Sequence, residues 1–187
     1  MTTFKQIGVI GSGAMGRGIA QLFASAGVEV LLHDSRSEAI EQALMHNRES
    51  LERAAAKGKI SADGLASTLE RMRAAHTLQE LAGCDLLIEA IVENLEAKQK
   101  LFRELEQLVS RDAVLASNTS SLSITLIASA CEHPQRVAGF HFFNPVTLMK
   151  IVEVVRGART AAQVIERLSA LARHAGHFAP VTPDSPR

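Results

Sequence analysis

The sequence predicts an α/β fold built on a doubly wound, mainly parallel sheet. Apolar runs of strand type recur along the chain, helical patterns separate most of them, and a glycine-rich turn joins the first run to the first helix. Alternating strands and helices favour parallel pairing, because each return to the sheet needs a crossover. The strands are expected near residues 6–11, 28–33, 85–91, 113–117, 136–141, 150–156 and 178–182. With 187 residues the chain can bury one full core, so residues 1–187 are expected to form one domain.

The first strand leads directly into the glycine-rich turn. The turn consists of Gly11, Ser12, Gly13, Ala14, Met15 and Gly16. In this setting Gly11 permits a tight turn, Gly13 lets the backbone approach a pyrophosphate, and Gly16 allows the helix to pack closely on the strand. The N-terminus of the helix offers unpaired N–H groups to phosphate oxygens. The turn therefore predicts a Rossmann-type fold that binds a dinucleotide.

The second strand ends in an acid, Asp34. It falls at about the distance from the turn at which a carboxylate hydrogen-bonds the hydroxyls of the adenine ribose. The same carboxylate would repel a 2′-phosphate, so Asp34 favours NAD over NADP as the cofactor. Arg36 weakens this preference slightly, because a nearby arginine could meet such a phosphate.

A segment longer than a crossover needs follows the second strand. Residues from about 37 to 75 read as two helices, the first rich in alanine and the second carrying Leu65, Leu69 and Met72. This pattern predicts a helical hairpin inserted into the fold, and a purely structural role for it is one alternative. Lys57 and Lys59 are most simply the charged end of the first helix.

An amphipathic helix is expected over about residues 96–109. Lys98 lies on this helix, where a lysine is usually solvated surface. The Ser- and Thr-rich run at 117–123 follows the next strand, and its side chains can cap a helix start and also contact a ligand.

The most informative stretch lies between residues 139 and 157. His141 and Asn144 stand in an aromatic run that ends in proline, and Glu153 interrupts an apolar run of strand type. A buried carboxylate is costly unless it is paired, and His141 is the obvious partner. Such a pair fixes the histidine tautomer and stabilises the imidazolium, which is the design of a general base. The alternative is an exposed strand face that carries Glu153 for solubility.

The strand ends predict where these groups meet. His141 closes its strand and Ser117 closes another, both at the carboxyl end. Ligands of open α/β sheets bind in the crevice outside those ends. We therefore expect His141, the run at 117–123 and the glycine turn on one rim of the sheet.

Global properties exclude several classes of function. The chain has 20 basic and 20 acidic residues and no basic run, so nucleic acid is an unlikely partner. A signal-peptide pattern and an apolar run long enough for a bilayer are both lacking, which predicts a cytoplasmic protein with no membrane partner. Cys84 and Cys131 are expected to be reduced thiols, and no metal is expected because the histidines form no ligand cluster.

The chain resembles the NAD-dependent L-3-hydroxyacyl-CoA dehydrogenases, a family that includes 3-hydroxybutyryl-CoA dehydrogenases. The matching stretches are GSGAMGRGIA from Gly11, EAIVENLEAKQKLF from Glu89, SNTSSLSIT from Ser117 and GFHFFNPVTLMKIVEVVRG from Gly139. The resemblance implies an oxidoreductase that uses NAD to interconvert L-3-hydroxyacyl-CoA and 3-oxoacyl-CoA by hydride transfer, as in fatty acid β-oxidation. Residues 56–59 and 160–162 look most like bacterial members of phenylacetate catabolism.

The resemblance also implies catalytic roles. His141 matches the base that takes the proton of the substrate 3-hydroxyl, and Glu153 matches its carboxylate partner. Ser120 and Asn144 match residues that contact the reacting substrate, and Asn144 also lies near the nicotinamide.

Binding roles follow in the same way. Glu93 and Lys98 match positions that line the cofactor ribose and nicotinamide. The helical hairpin at 37–75 would project over the cleft, where Lys57 or Lys59 could meet the phosphates of coenzyme A.

The chain departs from the family after Pro180. Family members continue through a P-G-F segment into an all-helical domain that closes the active site and forms the homodimer. We expect that domain to be absent here, either because the chain is a fragment of a longer protein, which we favour, or because it is a natural short form. Cofactor binding is then expected to be retained and turnover to be weak or absent. Two rival interpretations are a non-catalytic NAD-binding protein on the same fold and a dehydrogenase of free hydroxy acids.

Overall fold

The computed structural model describes residues 4–185, and these form one eight-stranded sheet flanked by helices. The strands are β1 (Gln6–Ile10), β2 (Glu29–His33), β3 (Met72–Ala75), β4 (Leu86–Glu89), β5 (Val114–Ser117), β6 (Val137–Phe142), β7 (Val152–Arg156) and β8 (Val181–Pro183). The helices are α1 (Ala14–Ser25), α2 (Ser37–Ala56), α3 (Ala62–Arg71), α4 (Leu95–Leu108), α5 (Ile124–Ala128) and α6 (Ala162–His174).

The strand order is β3-β2-β1-β4-β5-β6-β7-β8. All neighbours pair in parallel except β6 and β7, which are antiparallel. The order reverses between β1 and β4, which is the switch point at which doubly wound sheets bind their ligands. The predicted fold class is therefore confirmed.

Both faces of the sheet are buried. Leu86 and Ile88 of β4 pack in one apolar cluster with α1 and α6, whereas Leu87 packs in a second cluster on the other face with α4. Successive side chains of a strand point to opposite faces, so a strand covered on both sides needs an unbroken apolar run. This explains why a charged residue inside such a run is informative.

The prediction of helix over residues 37–75 is wrong at the end of that segment. Met72, expected on the second helix, instead begins β3 and pairs with Val30 on the edge of the sheet. The spacing of Leu65, Leu69 and Met72 imitates a helix face, and residues 72–75 contain no β-branched or aromatic residue that would indicate a strand. Pairing with β2 overrides this local preference, so α2 and α3 form the crossover from β2 to β3.

The antiparallel pairing of β6 and β7 places His141 directly opposite Glu153. Two residues along, Gly139 faces Val155. A Cβ atom at position 139 would lie 2.6 Å from the Cβ of Val155. The glycine therefore lets the two backbones approach closely at the strand pair that carries the histidine and the glutamate.

The two cysteines, Cys84 and Cys131, are buried free thiols. Burial raises the pKa of Cys84 to about 12 and that of Cys131 to about 11, so both are unreactive near neutral pH. Within residues 4–185, His, Cys, Asp and Glu side chains form no group of three that could hold a metal ion. Among the helices of the same range, none combines the length and the apolar character that a bilayer span requires.

Candidate active site

The glycine turn between β1 and α1 is shaped by close backbone contacts. Gly11 has a φ of +99°, and a Cβ there would lie 2.5 Å from the carbonyl oxygen of Ala90. A Cβ at Gly16 would lie 1.7 Å from the carbonyl oxygen of Gly11. Gly13 instead borders open space and caps α1 without a side-chain hydrogen bond. The turn therefore presents its backbone to the crevice, as a pyrophosphate site requires.

Asp34 follows β2 and is held by the same turn. Its Oδ2 accepts hydrogen bonds from the Ser12 backbone N (2.9 Å) and hydroxyl (2.8 Å), and its Oδ1 accepts one from the Arg36 backbone N. Partial burial raises the pKa of Asp34, but these hydrogen bonds and the Arg36 charge outweigh burial, so the pKa lies below its usual value. Asp34 is thus an ionised acceptor at neutral pH.

A cavity of about 530 Å³ lies beside these residues. Its walls include Gly11, Gly13, His33, Asp34, Ile91, Val92 and Leu101. An apolar slot with a carboxylate at its rim and a bare glycine turn fits the adenosine and pyrophosphate of NAD. Among the expected cofactor residues, Ser12 turns its hydroxyl to Asp34, Ala14 is exposed at the start of α1, and Met15 lines the next cavity.

His141 and Glu153 are in hydrogen-bond contact. The histidine Nδ1 lies 3.0 Å from the glutamate Oε2, and the side chains are 12% and 18% exposed. An ionised carboxylate can only accept, so Nδ1 donates and the free lone pair is on Nε2. The His141 ring lies 4.6 Å from the Phe143 ring, centroid to centroid, which restricts its rotation.

His141 borders two adjoining cavities along the rim. One, of about 400 Å³, is also lined by Glu93, Lys98, Ser120 and Asn144. The other, of about 240 Å³, is also lined by Ser120 and Glu153. The structure therefore brings the expected catalytic residues and three further expected cofactor residues, Met15, Glu93 and Lys98, into one crevice.

Lys98 is not surface, and the interpretation based on the helical pattern alone is wrong. The side chain is 1% exposed, and its Nζ lies 2.5 Å from Glu89 Oε1 and 3.3 Å from Glu93 Oε2. Lys98 is one of four buried residues on α4. Its side chain meets carboxylates at the sheet rim and not apolar neighbours. The two carboxylates provide the compensation that a buried ammonium needs.

Glu89 is the site residue that sequence reasoning missed. It closes β4 and is fully buried. The signal was available, because Glu89 ends the apolar run Leu86–Ile88 just as Glu153 interrupts the run in β7. At both positions a charged residue occupies a strand that would normally be apolar because it is covered on two faces.

Glu93 connects Lys98 to the turn after β5. Its Oε1 accepts hydrogen bonds from the hydroxyls of Thr119 and Ser121 and from the backbone N of Ser120. Burial raises the pKa of Glu93, but the Thr119 hydroxyl and the Lys98 ammonium lower it by more than burial raises it, so the pKa is below its usual value. The turn that carries Ser120 is thereby tied to an ionised carboxylate.

Two more polar residues shape the rim: Asn118, which belongs to the run at 117–123 that was expected there, and Asp184, which the sequence did not indicate. Asn118 Oδ1 accepts a hydrogen bond from the backbone N of Phe142 at the end of β6. Asp184 accepts hydrogen bonds from the Ser123 hydroxyl and from the backbone N–H groups of Ile124 and Thr125, and so caps α5. Burial raises the pKa of Asp184, but these hydrogen bonds outweigh it and hold the pKa below its usual value.

Lys57 and Lys59 are exposed in the connection between α2 and α3. Neither residue lines the three crevice cavities. Their proposed contact with coenzyme A phosphates stays a prediction.

Comparison with known proteins gives a consistent result. The family model for the NAD binding domain of 3-hydroxyacyl-CoA dehydrogenase matches residues 6–184. A 3-hydroxyadipyl-CoA dehydrogenase of Escherichia coli is 44% identical over 171 residues, which cover 91% of this chain and 36% of that protein. A probable 3-hydroxybutyryl-CoA dehydrogenase of Bacillus subtilis is 44% identical over 182 residues, covering 97% and 63%.

Solved structures agree with the sequence matches. The crystal structure of 3-hydroxybutyryl-CoA dehydrogenase from Escherichia coli superposes with a TM-score of 0.97 at 42% identity, covering 98% of this chain and 39% of that one. The (S)-3-hydroxybutyryl-CoA dehydrogenase of Ralstonia eutropha gives 0.95 at 34% identity, covering 98% and 65%. The chain thus spans less than two thirds of the length of each of these relatives.

Proposed function

The chain belongs to the 3-hydroxyacyl-CoA dehydrogenase family, as its NAD-binding domain, and we propose that it carries the cofactor-binding and proton-transfer residues of an oxidoreductase acting on L-3-hydroxyacyl-CoA and 3-oxoacyl-CoA. The observation that supports this proposal most strongly is the His141–Glu153 pair, which opens onto the same crevice as Lys98 and Glu93. A protein that only bound the cofactor would not need a paired base.

The cofactor site is formed by the chain's own residues in three parts. The N–H groups at the start of α1 and the bare backbone at Gly13 suit a pyrophosphate. Asp34 suits the hydroxyls of the adenine ribose, and its negative charge disfavours a 2′-phosphate. Lys98 and Glu93 suit hydroxyl groups farther along the crevice. When bound, NAD supplies the acceptor for a hydride that leaves C3 of the substrate.

His141 acts on the other hydrogen of the alcohol. Its Nε2 takes the proton of the 3-hydroxyl, and Glu153 stabilises the imidazolium through Nδ1. In the reverse direction the imidazolium returns the proton to the 3-oxo oxygen. Ser120 and Asn144 line the cavity next to His141 and can orient that oxygen by hydrogen bonds.

The names of the relatives support one substrate class: they include a 3-hydroxyadipyl-CoA dehydrogenase, a 3-hydroxybutyryl-CoA dehydrogenase and a fatty acid oxidation complex subunit alpha. We propose acyl-CoA thioesters as the substrates, in fatty acid β-oxidation or phenylacetate catabolism. A cytoplasmic location and a homodimer of a longer form stay predictions.

The test is NADH oxidation by the purified chain with acetoacetyl-CoA, with NADH binding measured on the same samples. We expect binding of NADH, turnover with acetoacetyl-CoA, and much less turnover with free acetoacetate. A chain that fails to bind NADH contradicts the whole proposal. Turnover that is unchanged in His141→Gln contradicts the catalytic part, and faster turnover of the free acid points to a dehydrogenase of hydroxy acids.

A further inference from the structure

Glu89 has no part in the proton transfer described above, although it is the most deeply buried charge on the rim. It is 0% exposed at the carboxyl end of β4. An ionised carboxylate in such a place is costly unless donors surround it. The position of those donors shows what the residue does.

Three groups from three different segments donate to Glu89. Oε1 accepts from Lys98 Nζ (2.5 Å) and from the backbone N of Ile91 (2.7 Å), and Oε2 accepts from the Ser117 hydroxyl (2.6 Å). The carboxylate therefore joins α4, the loop after β4 and the end of β5. All three segments meet at the carboxyl end of β4, which is one of the two strands that border the switch point.

Lys98 passes this constraint on to the crevice. Its ammonium lies between Glu89 and Glu93, and Glu93 is 40% exposed and lines the same cavity as His141. A four-carbon lysine side chain is flexible, and 1% exposure means that water does little to orient it. The carboxylate of Glu89 is thus the group that holds the ammonium beside Glu93.

Glu106 shows that burial and saturation alone do not create this role. It is 6% exposed, it accepts hydrogen bonds from the backbone N of Glu132 (2.7 Å) and of His133 (2.8 Å), and it lies 3.7 Å from Arg136. These partners belong to the connection before β6, and Glu106 lines none of the three crevice cavities. The two buried carboxylates therefore differ in their cations: Lys98, the partner of Glu89, lines a crevice cavity, whereas Arg136, the partner of Glu106, does not.

We propose that Glu89 is a positioning residue for cofactor binding, which acts through Lys98 by holding the ammonium against Glu93. Together, Lys98 and Glu93 then present a fixed donor and acceptor to the hydroxyl groups of the bound dinucleotide. This inference rests on the proposed use of NAD.

The test is a double-mutant cycle read out by NADH fluorescence, with folding checked by circular dichroism. We expect Glu89→Gln and Lys98→Met each to weaken NADH binding about tenfold, the effect of losing one hydrogen bond to a charged group. The double variant should bind NADH no more weakly than Lys98→Met alone, because Glu89 then has nothing to position. The matched control, Glu106→Gln, should lower stability but leave the NADH dissociation constant within about twofold.

The outcomes separate this inference from the proposed function. A wild-type chain that does not bind NADH contradicts the proposed function. Wild-type affinity in Glu89→Gln, or additive losses in the double variant, overturn only the positioning role. If Glu89→Gln does not fold, Lys98→Met and the double variant still decide: equal affinities support the role, and a weaker double variant overturns it.

Discussion

Two pairs of a carboxylate and a nitrogen side chain, Glu89–Lys98 and Glu153–His141, lie on the same rim and differ in their access to the crevice. Glu89 and Lys98 are 0% and 1% exposed, whereas His141 and Glu153 are 12% and 18% exposed. Glu89 and Lys98, the closed pair, are surrounded by protein groups and not by water, so they can fix geometry but cannot easily pass a proton to a ligand. His141 and Glu153, the open pair, lie beside two cavities.

The comparison shows that an ion pair's surroundings determine its use. Low dielectric strengthens an interaction and also makes its loss expensive. A proton-transfer group must instead tolerate both of its protonation states, and partial exposure next to a carboxylate allows this. Variants of the two pairs should therefore fail in different measurements.

The largest effect is expected for the open pair, from His141→Gln. The rate with acetoacetyl-CoA should fall by about 10²- to 10⁴-fold, because general-base catalysis is lost. NADH affinity should stay within about twofold, and the free energy of unfolding should change by less than about 1 kcal/mol. Steady-state kinetics, NADH fluorescence and urea unfolding measure these three quantities. Replacing the exposed His46 by Gln is the matched control, and a fully active His141→Gln variant would show that the base is misassigned.

Variants of the closed pair should instead lower the stability of the protein. Lys98→Met strands a buried carboxylate, and the free energy of unfolding should drop by about 3–5 kcal/mol. The double variant Glu89→Gln/Lys98→Met should lose less, since neither charge then remains alone. Urea unfolding measures both losses. Lys100→Met, on the exposed face of the same helix, is the control and should stay within about 0.5 kcal/mol. A Lys98→Met loss as small as the control's would mean that the pair is not closed in solution.

Glu153→Gln should weaken the open pair without removing the base. The rate should fall by about 10- to 100-fold, the effect of losing a hydrogen bond to a charged group. Glu153→Asp should recover part of the rate. An unchanged rate in Glu153→Gln would assign Glu153 to packing alone.

The smallest effect is expected at Asp184, which caps α5 beside the open pair. Asp184→Ala should lower stability at pH 7 by about 0.5–2 kcal/mol, the usual effect of a lost cap. Because the folded pKa of Asp184 is lowered, its contribution is complete above the ordinary aspartate value of 3.8 and is lost as the pH falls through the folded value. The difference between wild type and variant should therefore shrink at acidic pH. Urea unfolding at several pH values measures it, and a difference that grows on acidification would reverse the assigned sign.

The parts of the fold and site that the sequence predicted correctly depend on short-range patterns. The glycine turn from Gly11 to Gly16 needs only a strand before it and a helix after it, and the fold class follows from alternation. The contact between His141 and Glu153 was predicted because a carboxylate stood out in an apolar run. The family assignment is confirmed by the match over residues 6–184. Catalytic and binding roles of the individual residues stay predictions.

The missed features depend on partners far away in the sequence. β3 forms because β2 offers it an edge, which residues 72–75 do not reveal. Asp184 caps a helix that begins 60 residues earlier in the chain. Lys98 looked like surface because helical periodicity separates apolar from polar faces and does not show whether a polar position meets a buried carboxylate.

The close approach of β6 and β7 at Gly139 makes the histidine–glutamate spacing depend on a position that has no side chain. A slip of one residue between these strands would turn Glu153 to the opposite face of the sheet. The loop between the strands also acts on the pair, because its Phe143 ring lies against the imidazole of His141. Any change that separates the two backbones would lengthen the distance between His141 and Glu153. The two strands form a heritable unit, and a designer who moves this pair to another scaffold would have to move both strands with their glycine.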